Sequence, residues 1–294
     1  MIREGIDLKN RFQNSIDNKP IIGCVMKYHE VKSSDYYQNI VFVEGSSDKL
    51  FYIHTHIGKL HKKPYYIYAS QADDMVGKTA VVESYKMIVN DKCLVDGLDK
   101  CVFIVDQDWD EKPEGVCITK WHSMENYFLQ EDNLKVLFDM AGKQANYTGF
   151  LNEYKKFCLE TANFWALKAT ASYAKKQGIR CFYRKKHSFE EIFCFSLDEK
   201  RSIKYNRRYM DDEISEMRNA IMGSKELISI YNNLYKKIKG NINFVRGHEA
   251  FRFLQCYFFG CFGIEIDLYS KEQFLNKCIK GFNVELIAEN GVLS

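Results

Sequence analysis

The stretch VFVEGSSDKLFY, residues 41–52, sets the architecture of the N-terminal half, because it joins a buried strand directly to a helix. The apolar run VFV is typical of a strand covered on both faces, and helical spacing of apolar residues begins at Asp48. Gly45 permits the tight turn between the two elements. The stretch therefore predicts the first half of a βαβ unit, with Glu44 at the carboxyl end of its strand.

The same alternation of apolar and helical runs continues to about residue 119. Short runs of β-branched and aromatic residues, separated by helical segments, are typical of βαβ units in a parallel sheet. After Trp121 the pattern changes to helices with aromatic-rich faces. The predicted strands are residues 21–31, 39–43, 65–69, 101–105 and 115–119. The predicted helices are residues 4–17, 48–60, 77–90, 133–167, 211–239 and 249–259.

These patterns predict an α/β fold with two domains. Residues 1–140 are expected to form a Rossmann-like α/β catalytic domain, with a parallel sheet behind an N-terminal extension. Residues 141–294 are expected to form a mainly α-helical extension that carries a basic aromatic tract.

The composition is that of a soluble globular protein, with 294 residues of which 46% are apolar and 28% charged. The N-terminus lacks an apolar targeting core, and the longest apolar stretch, residues 256–264, is too short to cross a bilayer. We therefore expect a cytoplasmic protein without membrane contact. The ten cysteines are scattered and contain no C-x-x-C pair, which favours reduced core thiols over a zinc site.

Acidic side chains follow two of the predicted strands. Glu44 ends one, and the run VFIVDQDWD places Asp106, Asp108 and Asp110 after another. Carboxyl ends of parallel strands meet at one edge of a sheet, and alternation along an extended segment would point the three aspartates to one side. Such oxygen ligands suit Mg²⁺ or Mn²⁺. The alternative is an acidic turn, with Glu44 favoured at a helix N-terminus by the helix dipole.

Two features next to these strand ends have alternative interpretations. Asp48 lies in the first turn of the following helix, either as a cap or as a supporting metal carboxylate. Lys78 belongs to a G-K-T that resembles the end of a phosphate-binding loop, but Ala72 stands where such a loop needs glycine. We therefore reject a nucleotide cradle and expect Gly77 and Lys78 to face the crevice.

His122 and Glu125 follow the strand at 115–119 and lie three residues apart. On one helix face they would orient a metal-bound water or contact a phosphate, which makes both candidate catalytic residues. The alternative is an ordinary cap and a polar surface pair.

Positive charge is concentrated between Lys168 and Arg208, where Lys and Arg exceed acids by eight although the whole chain carries only +3. Phe182 and Tyr183 interrupt one basic run, and Tyr205 and Tyr209 another. Cations neutralise phosphates and aromatic rings stack on unpaired bases, so the tract predicts binding of RNA or a single strand, with a solvated basic face as the alternative. The candidate contacts are Lys78, Arg180, Arg184, Lys185, Lys186, Arg201, Lys204, Arg207 and Arg208.

The Glu-Gly at 44–45 and the D-x-D-x-D at 106–110, each closing a strand of one βαβ pattern, resemble the Toprim domain of topoisomerases, bacterial primases and OLD-family nucleases. The resemblance covers residues 39–130. It implies a Toprim α/β fold, Glu44 as general acid or base, and Mg²⁺ bound by the aspartates. Toprim nucleases have a second Glu where this chain has Asp48.

HSMENYFL at 122–129 and VRGHE at 245–249 further resemble the Toprim nuclease subunits (AriB) of PARIS anti-phage defence systems. This resemblance implies a partner ATPase of the ABC type that holds the nuclease inactive until a phage protein is sensed. It also implies that the released toxin cleaves host tRNA and causes abortive infection. An active homodimer is a further expectation.

The sequence therefore predicts a Mg²⁺-dependent Toprim endonuclease, a ribonuclease that cleaves tRNA. Asp106 and Asp108 would hold the cation with Asp110 and Asp48 in support, and Glu44 would activate the nucleophile or protonate the leaving oxygen. The alternatives are a DNA endonuclease of the OLD type and a catalytically silent binding subunit whose acidic crevice contacts a basic partner.

Overall fold

A computed structural model describes residues 22–55, 64–69, 77–108, 112–239, 241–242, 245–266, 277–288 and 291–293. The helix predicted at 4–17 and the end of the helix predicted at 48–60 lie outside these residues. The helices are α1 (Ile22–Val31), α2 (Ser46–His54), α3 (Lys78–Asn90), α4 (Glu131–Met140), α5 (Tyr147–Lys176), α6 (Phe189–Ile192), α7 (Arg207–Ile221), α8 (Lys225–Ile238) and α9 (Gly247–Phe262). The strands are β1 (Asn39–Phe42), β2 (Pro64–Ile67), β3 (Cys101–Val105), β4 (Cys117–Thr119), β5 (Ser196–Leu197), β6 (Ile203–Lys204), β7 (Leu286–Ala288) and β8 (Gly291–Leu293).

The chain divides into two compact units. The sheet unit contains residues up to Gln107, the residues that end at Lys120, and the residues from Val284 onward. The helical unit contains Asp108 and residues 121–283. The boundaries of these units differ from the predicted division after residue 140. The assignment of a catalytic α/β domain and an α-helical extension stays a prediction.

The sheet unit is a mixed α/β structure around a mostly parallel sheet. Among the described residues the sheet has six strands, in the order β2-β1-β3-β4-β7-β8. The strands β2, β1, β3 and β4 are mutually parallel, with Ile40 of β1 opposite Tyr65 on one side and Cys101 on the other. The predicted parallel core and its βαβ connections are thus confirmed.

Burial of β1 explains why its sequence is continuously apolar. Ile40, Val41 and Phe42 are at most 1% exposed, so side chains on both faces of the strand are covered. Phe42 stacks on Phe103 of β3 with ring centroids 4.5 Å apart. Helix α3 contributes Ala80, Val81, Ser84 and Ile88 as its buried residues, at the spacing of one helix face.

Residues 21–31, predicted as a strand, form helix α1 over the described residues. Cys24, Val25 and Tyr28 are buried, and their spacing is that of one helical face rather than the alternation of a strand. The Tyr28 hydroxyl donates to Leu94 O at 2.7 Å. Helix periodicity therefore overrides the local β preference of the run IIGCV.

The two antiparallel strands beside β4, β7 and β8, were not predicted. β7 pairs antiparallel with β4, placing Ile287 opposite Ile118, and β8 pairs antiparallel with β7. Lys120 and Glu285 form an ion pair with 2.5 Å between Nζ and Oε2. The sheet is therefore parallel only through β4, because the C-terminal residues return to its edge.

The aromatic-rich segments predicted at 133–167, 211–239 and 249–259 are helical, but the first is divided between α4 and α5 and the second between α7 and α8. Helix α5 runs for 30 residues, and its Trp165 stacks on Phe193 with ring centroids 5.2 Å apart. The short β5–β6 hairpin was not predicted. No helix in the described part of the chain is long and apolar enough to span a membrane.

The cysteines are all unbridged, as expected, but they are not all core residues. Cys24, Cys158 and Cys278 are buried, and burial raises the pKa of the Cys158 and Cys278 thiols to about 12. Cys93 and Cys194 are exposed. The interpretation as core thiols therefore holds for only part of the set.

Candidate active site

Two acids predicted to share a site lie at adjacent strand ends of the sheet unit. β1 and β3 are parallel neighbours, and Glu44 and Asp106 follow them at the carboxyl edge. Glu44 Oε1 accepts the backbone N–H of Asp106 at 2.8 Å. This hydrogen bond orients the Glu44 carboxylate and ties the two strand ends together.

The N-terminus of α3 approaches the same strand ends. Gly77 has φ 66° and ψ −147°, and a Cβ built on it would lie 3.3 Å from Glu44 Oε2. Lys78 Nζ donates to the carbonyl oxygens of Asp106 at 2.8 Å and Gln107 at 3.3 Å. The expectation that Gly77 and Lys78 face this edge is confirmed, and Lys78 brings a cation beside the two acids.

Asp48 lies at the same end of the sheet unit. It is 9% exposed, and its Oδ2 is 3.5 Å from the position of a Cβ on Gly45. The N-cap residue of α2 is Gly45, so Asp48 lies in the first turn of the helix and not at the N-cap position itself. A buried carboxylate in the first turn is favoured there by the helix dipole.

Thr119 is a site residue that sequence reasoning missed. Its side chain is fully buried at the end of β4, and its Oγ1 accepts the backbone N–H of Gln107 at 2.9 Å. This bond fixes the chain just after Asp106. The signal was present, since Thr119 is a polar residue at a strand end, as Glu44 is.

In the helical unit, Asp108 contacts His122. The Asp108 N–H donates to His122 O at 2.7 Å, and Asp108 Oδ1 lies 4.0 Å from Nδ1 of the buried His122. Asp108 has φ 50°, so the chain is not extended there, and the prediction that alternation along an extended segment points the aspartates to one side is wrong at Asp108. Asp110 lies outside the described residues.

The predicted cluster of three aspartates stays a prediction, because Asp110 lies outside the part of the chain that the structure describes. In that part of the chain, no group of three or more His, Cys, Asp or Glu side chains is arranged to hold a metal ion. Glu44, Asp48 and Asp106 remain as carboxylates at one end of the sheet unit.

The motifs at 122–126 and 245–249 meet in the helical unit. Asn126 Nδ2 donates to Val245 O at 3.0 Å, and a Cβ on Gly247 would lie 1.7 Å from Ser123 Oγ. His122 and Glu125 do not share an α-helix face, because His122 precedes the 3₁₀ helix Met124–Leu129 that contains Glu125. Gly247 is needed for this close approach.

Glu125 is paired with His248 in this cluster. Its Oε1 lies 3.5 Å from His248 Nδ1, and Ser123 Oγ donates to its Oε2 at 2.7 Å. Burial alone would raise the pKa of Glu125, but the bonds from His248 and Ser123 outweigh it and lower that pKa. The bond to Glu125 raises the pKa of His248. The pair therefore stabilises its own charged forms, which indicates a structural link between two motifs.

The basic tract separates into balanced and unbalanced charges. Lys186 is 2.7 Å from Glu216, Lys204 is 3.0 Å from Asp198, and Arg207 pairs with Glu160. These three candidate contacts are therefore partly neutralised. Arg184, Arg201 and Arg208 are exposed, and Arg180 and Lys185 line a groove of about 980 Å³.

No protein-family model matches the chain, and no curated protein matches it. A function has to be inferred from these residues and their geometry.

Proposed function

We propose that this chain is a Toprim-type endonuclease that requires Mg²⁺ or Mn²⁺ and cleaves RNA, with tRNA as its substrate. The observation that carries the proposal is the hydrogen bond from Asp106 N–H to Glu44 Oε1 at the carboxyl edge of a mostly parallel sheet. Open α/β sheets bind ligands in the crevice outside the carboxyl ends of their strands. A Rossmann-like, Toprim fold is part of the same proposal.

The donors at this edge fit a hard divalent cation. Mg²⁺ binds through one or two carboxylates and completes its shell with water and substrate phosphate, so it does not need a cage of three acids. Asp106 is the proposed ligand, with Asp48 in support. Asp108 and Asp110, which follow Asp106 in the D-x-D-x-D motif, stay predicted ligands. A bound Mg²⁺ would polarise the scissile phosphate and offset charge on its oxygens.

The residues of the sheet unit have separate proposed roles. Glu44, oriented by the Asp106 N–H, transfers the proton at the nucleophile or at the leaving oxygen. The Lys78 ammonium, held by the carbonyls of Asp106 and Gln107, attracts the substrate's phosphate. Thr119 keeps the segment after β3 in place through Gln107.

The biological setting is proposed from the motif resemblance. It comprises anti-phage defence by abortive infection, an ABC-type ATPase partner that restrains the nuclease, and an active homodimer. The two motifs that carry this resemblance, at 122–126 and 245–249, contact each other through Asn126 and Val245.

The Glu44→Gln variant tests the catalytic assignment. The amide oxygen can still accept the Asp106 N–H, so the strand ends stay joined while the proton-transfer group is lost. We expect cleavage of tRNA in the presence of Mg²⁺ to fall roughly 10²–10⁴-fold. The assay incubates purified protein with total RNA and, separately, with plasmid DNA, and reads both on gels with and without EDTA.

Glu30→Gln is the matched control, because Glu30 is an exposed acid of the same unit on α1. It should cleave like wild type. A Glu44→Gln variant with wild-type activity would show that the catalytic assignment is wrong. Cleavage of plasmid but not RNA would identify a DNA endonuclease, and no metal-dependent cleavage of either would favour a silent binding subunit.

A further inference from the structure

A groove in the helical unit lies beside the segment that follows α5. Its volume, about 980 Å³, is at the upper end of the range for ligand sites. Among the described residues, the lining contains five cations and several aromatic rings and no acidic residue. The residues that matter most are Lys168, Lys175, Arg180, Phe182, Lys185 and Arg246.

The cations differ in how far their charge is balanced. Lys168 is mostly buried and lies 3.5 Å from the fully buried Glu213, and Arg246 lies 3.2 Å from Glu249. Within the described residues, the side chains of Lys175, Arg180 and Lys185 make no ion pair within 4.0 Å. The groove therefore carries an excess of positive charge, which attracts a polyanion.

Phe182 supplies a stacking surface at this groove. It is 82% exposed, more than any other large apolar side chain that the structure describes. The Arg180 guanidinium lies 5.8 Å from the centre of its ring. A phenylalanine left in water beside a guanidinium presents a flat surface on which a base can stack, with a cation next to it for the phosphate.

The groove is preformed by polar contacts below it. Lys168 Nζ donates to the Tyr183 hydroxyl at 2.8 Å, and Glu213 accepts the backbone N–H of His187 at 2.9 Å. These bonds tie the segment after α5 to helices α5 and α7. Binding to a preformed site loses less conformational freedom than binding to a mobile loop.

We infer that this groove binds an unpaired nucleotide within a single-stranded nucleic acid, with its base on Phe182 and its phosphates on Lys175, Arg180 and Lys185. A rigid duplex cannot offer an unstacked base to the ring, so single strands and loops are favoured. The inference rests on the proposed function only in expecting RNA to be the strand. An acidic peptide would use the cations but gains little from the exposed ring.

The test measures binding without cleavage. Fluorescence anisotropy follows a labelled twelve-nucleotide single-stranded RNA, the same DNA sequence, the matched duplex and a poly-glutamate peptide, all in EDTA. Phe182→Ala should weaken single-strand binding roughly five-fold or more and leave duplex binding nearly unchanged. The double variant Lys175→Gln, Lys185→Gln should lower the slope of log affinity against log salt concentration by the amount expected for about two lost phosphate contacts.

Two controls isolate the groove. Phe259→Ala removes a 65% exposed ring from α9, and Lys225→Gln with Lys237→Gln removes two exposed charges from α8. Both should bind like wild type, and thermal melting checks that every variant is folded.

Unchanged single-strand binding by folded Phe182→Ala would overturn the inference. So would poly-glutamate binding that matches the affinity for RNA. If the groove variants bind normally while Glu44→Gln loses cleavage, the nuclease proposal stands without the groove. If binding falls as expected but wild type cleaves nothing, the groove stands without the nuclease. Equal binding of single-stranded RNA and DNA supports the inference, because the proposed contacts are to the base and the phosphates and not to the sugar.

Discussion

Glu44 is positioned by two neighbours of different kinds. Asp106 N–H donates to its Oε1 at 2.8 Å, and Gly77 leaves open the space 3.3 Å from its Oε2 where a Cβ would stand. The Asp106 N–H fixes the orientation of the carboxylate, and the missing side chain of Gly77 leaves room for it. Gly77 also has φ 66°, a conformation that residues with a Cβ rarely adopt.

Gly77→Ala should therefore disturb the site as well as the backbone. The strained conformation costs about 1–3 kcal/mol of unfolding free energy, and the added Cβ, 3.3 Å from Glu44 Oε2, requires the carboxylate to shift by a few tenths of an ångström. We expect lower stability in chemical denaturation together with loss of RNA cleavage.

Gly142→Ala separates the two effects, because Gly142 has φ 65° but no atom of a described residue within 4 Å of its added Cβ. It should lose stability through its backbone conformation alone and keep activity. If both variants cleave RNA equally well, the close approach of Gly77 to Glu44 has no role in the site.

At the scale of elements, strand ends were the most informative part of the sequence. The apolar runs of β1 and β3 predicted two strands of one parallel sheet. In the structure these strands are neighbours, which places Glu44 beside Asp106 although 62 residues separate them. The chain after β3 could not be predicted in the same way. Asp108 has φ 50°, and its conformation depends on a bond to the distant carbonyl of His122.

Helix α7 shows a signal that was missed. Its buried residues are Met210, Glu213, Met217 and Ile221, so an acid occupies a position within the apolar stripe. A carboxylate there must be paired with a cation or accept hydrogen bonds, because an isolated buried charge is costly. The partners of Glu213, Lys168 and the backbone of Lys186 and His187, lie too far away in sequence to be predicted.

Glu213→Ala should destabilise the helical unit by roughly 3–5 kcal/mol, because it leaves the mostly buried Lys168 ammonium without its counter-charge and removes the acceptor of two part-buried backbone N–H groups. Urea denaturation measures the change. Glu216→Ala removes the partner of the exposed Lys186 from the same helix and should cost at most about 1 kcal/mol. Equal losses in the two variants would show that Glu213 does not hold the segment after α5.

At the scale of the whole molecule, the sheet unit is assembled from separated parts of the chain. Its N-terminal part supplies β1 to β4, and residues from Val284 onward supply β7 and β8. The sequence did not predict this return, because LIA and GVL are short runs whose β structure depends on pairing with β4. The sheet is therefore completed only when residues 286–293 pair beside β4. The strands β1 and β3, which Glu44 and Asp106 follow, lie between β2 and β4.

A chain truncated after Asn283 should consequently lose much of the sheet unit's stability. It lacks Val284 and Leu286, which are at most 1% exposed, and each fully buried apolar side chain contributes about 1.5–3 kcal/mol. The combined loss is comparable with the total stability of a marginal domain.

Thermal unfolding and limited proteolysis of the chain truncated after Asn283 should show early opening of residues 22–107. A chain ending at Ala288 keeps both side chains and should open later. Identical melting of the chain ending at Asn283 and the full chain would mean that the parallel strands β1 to β4 are stable without their antiparallel neighbours.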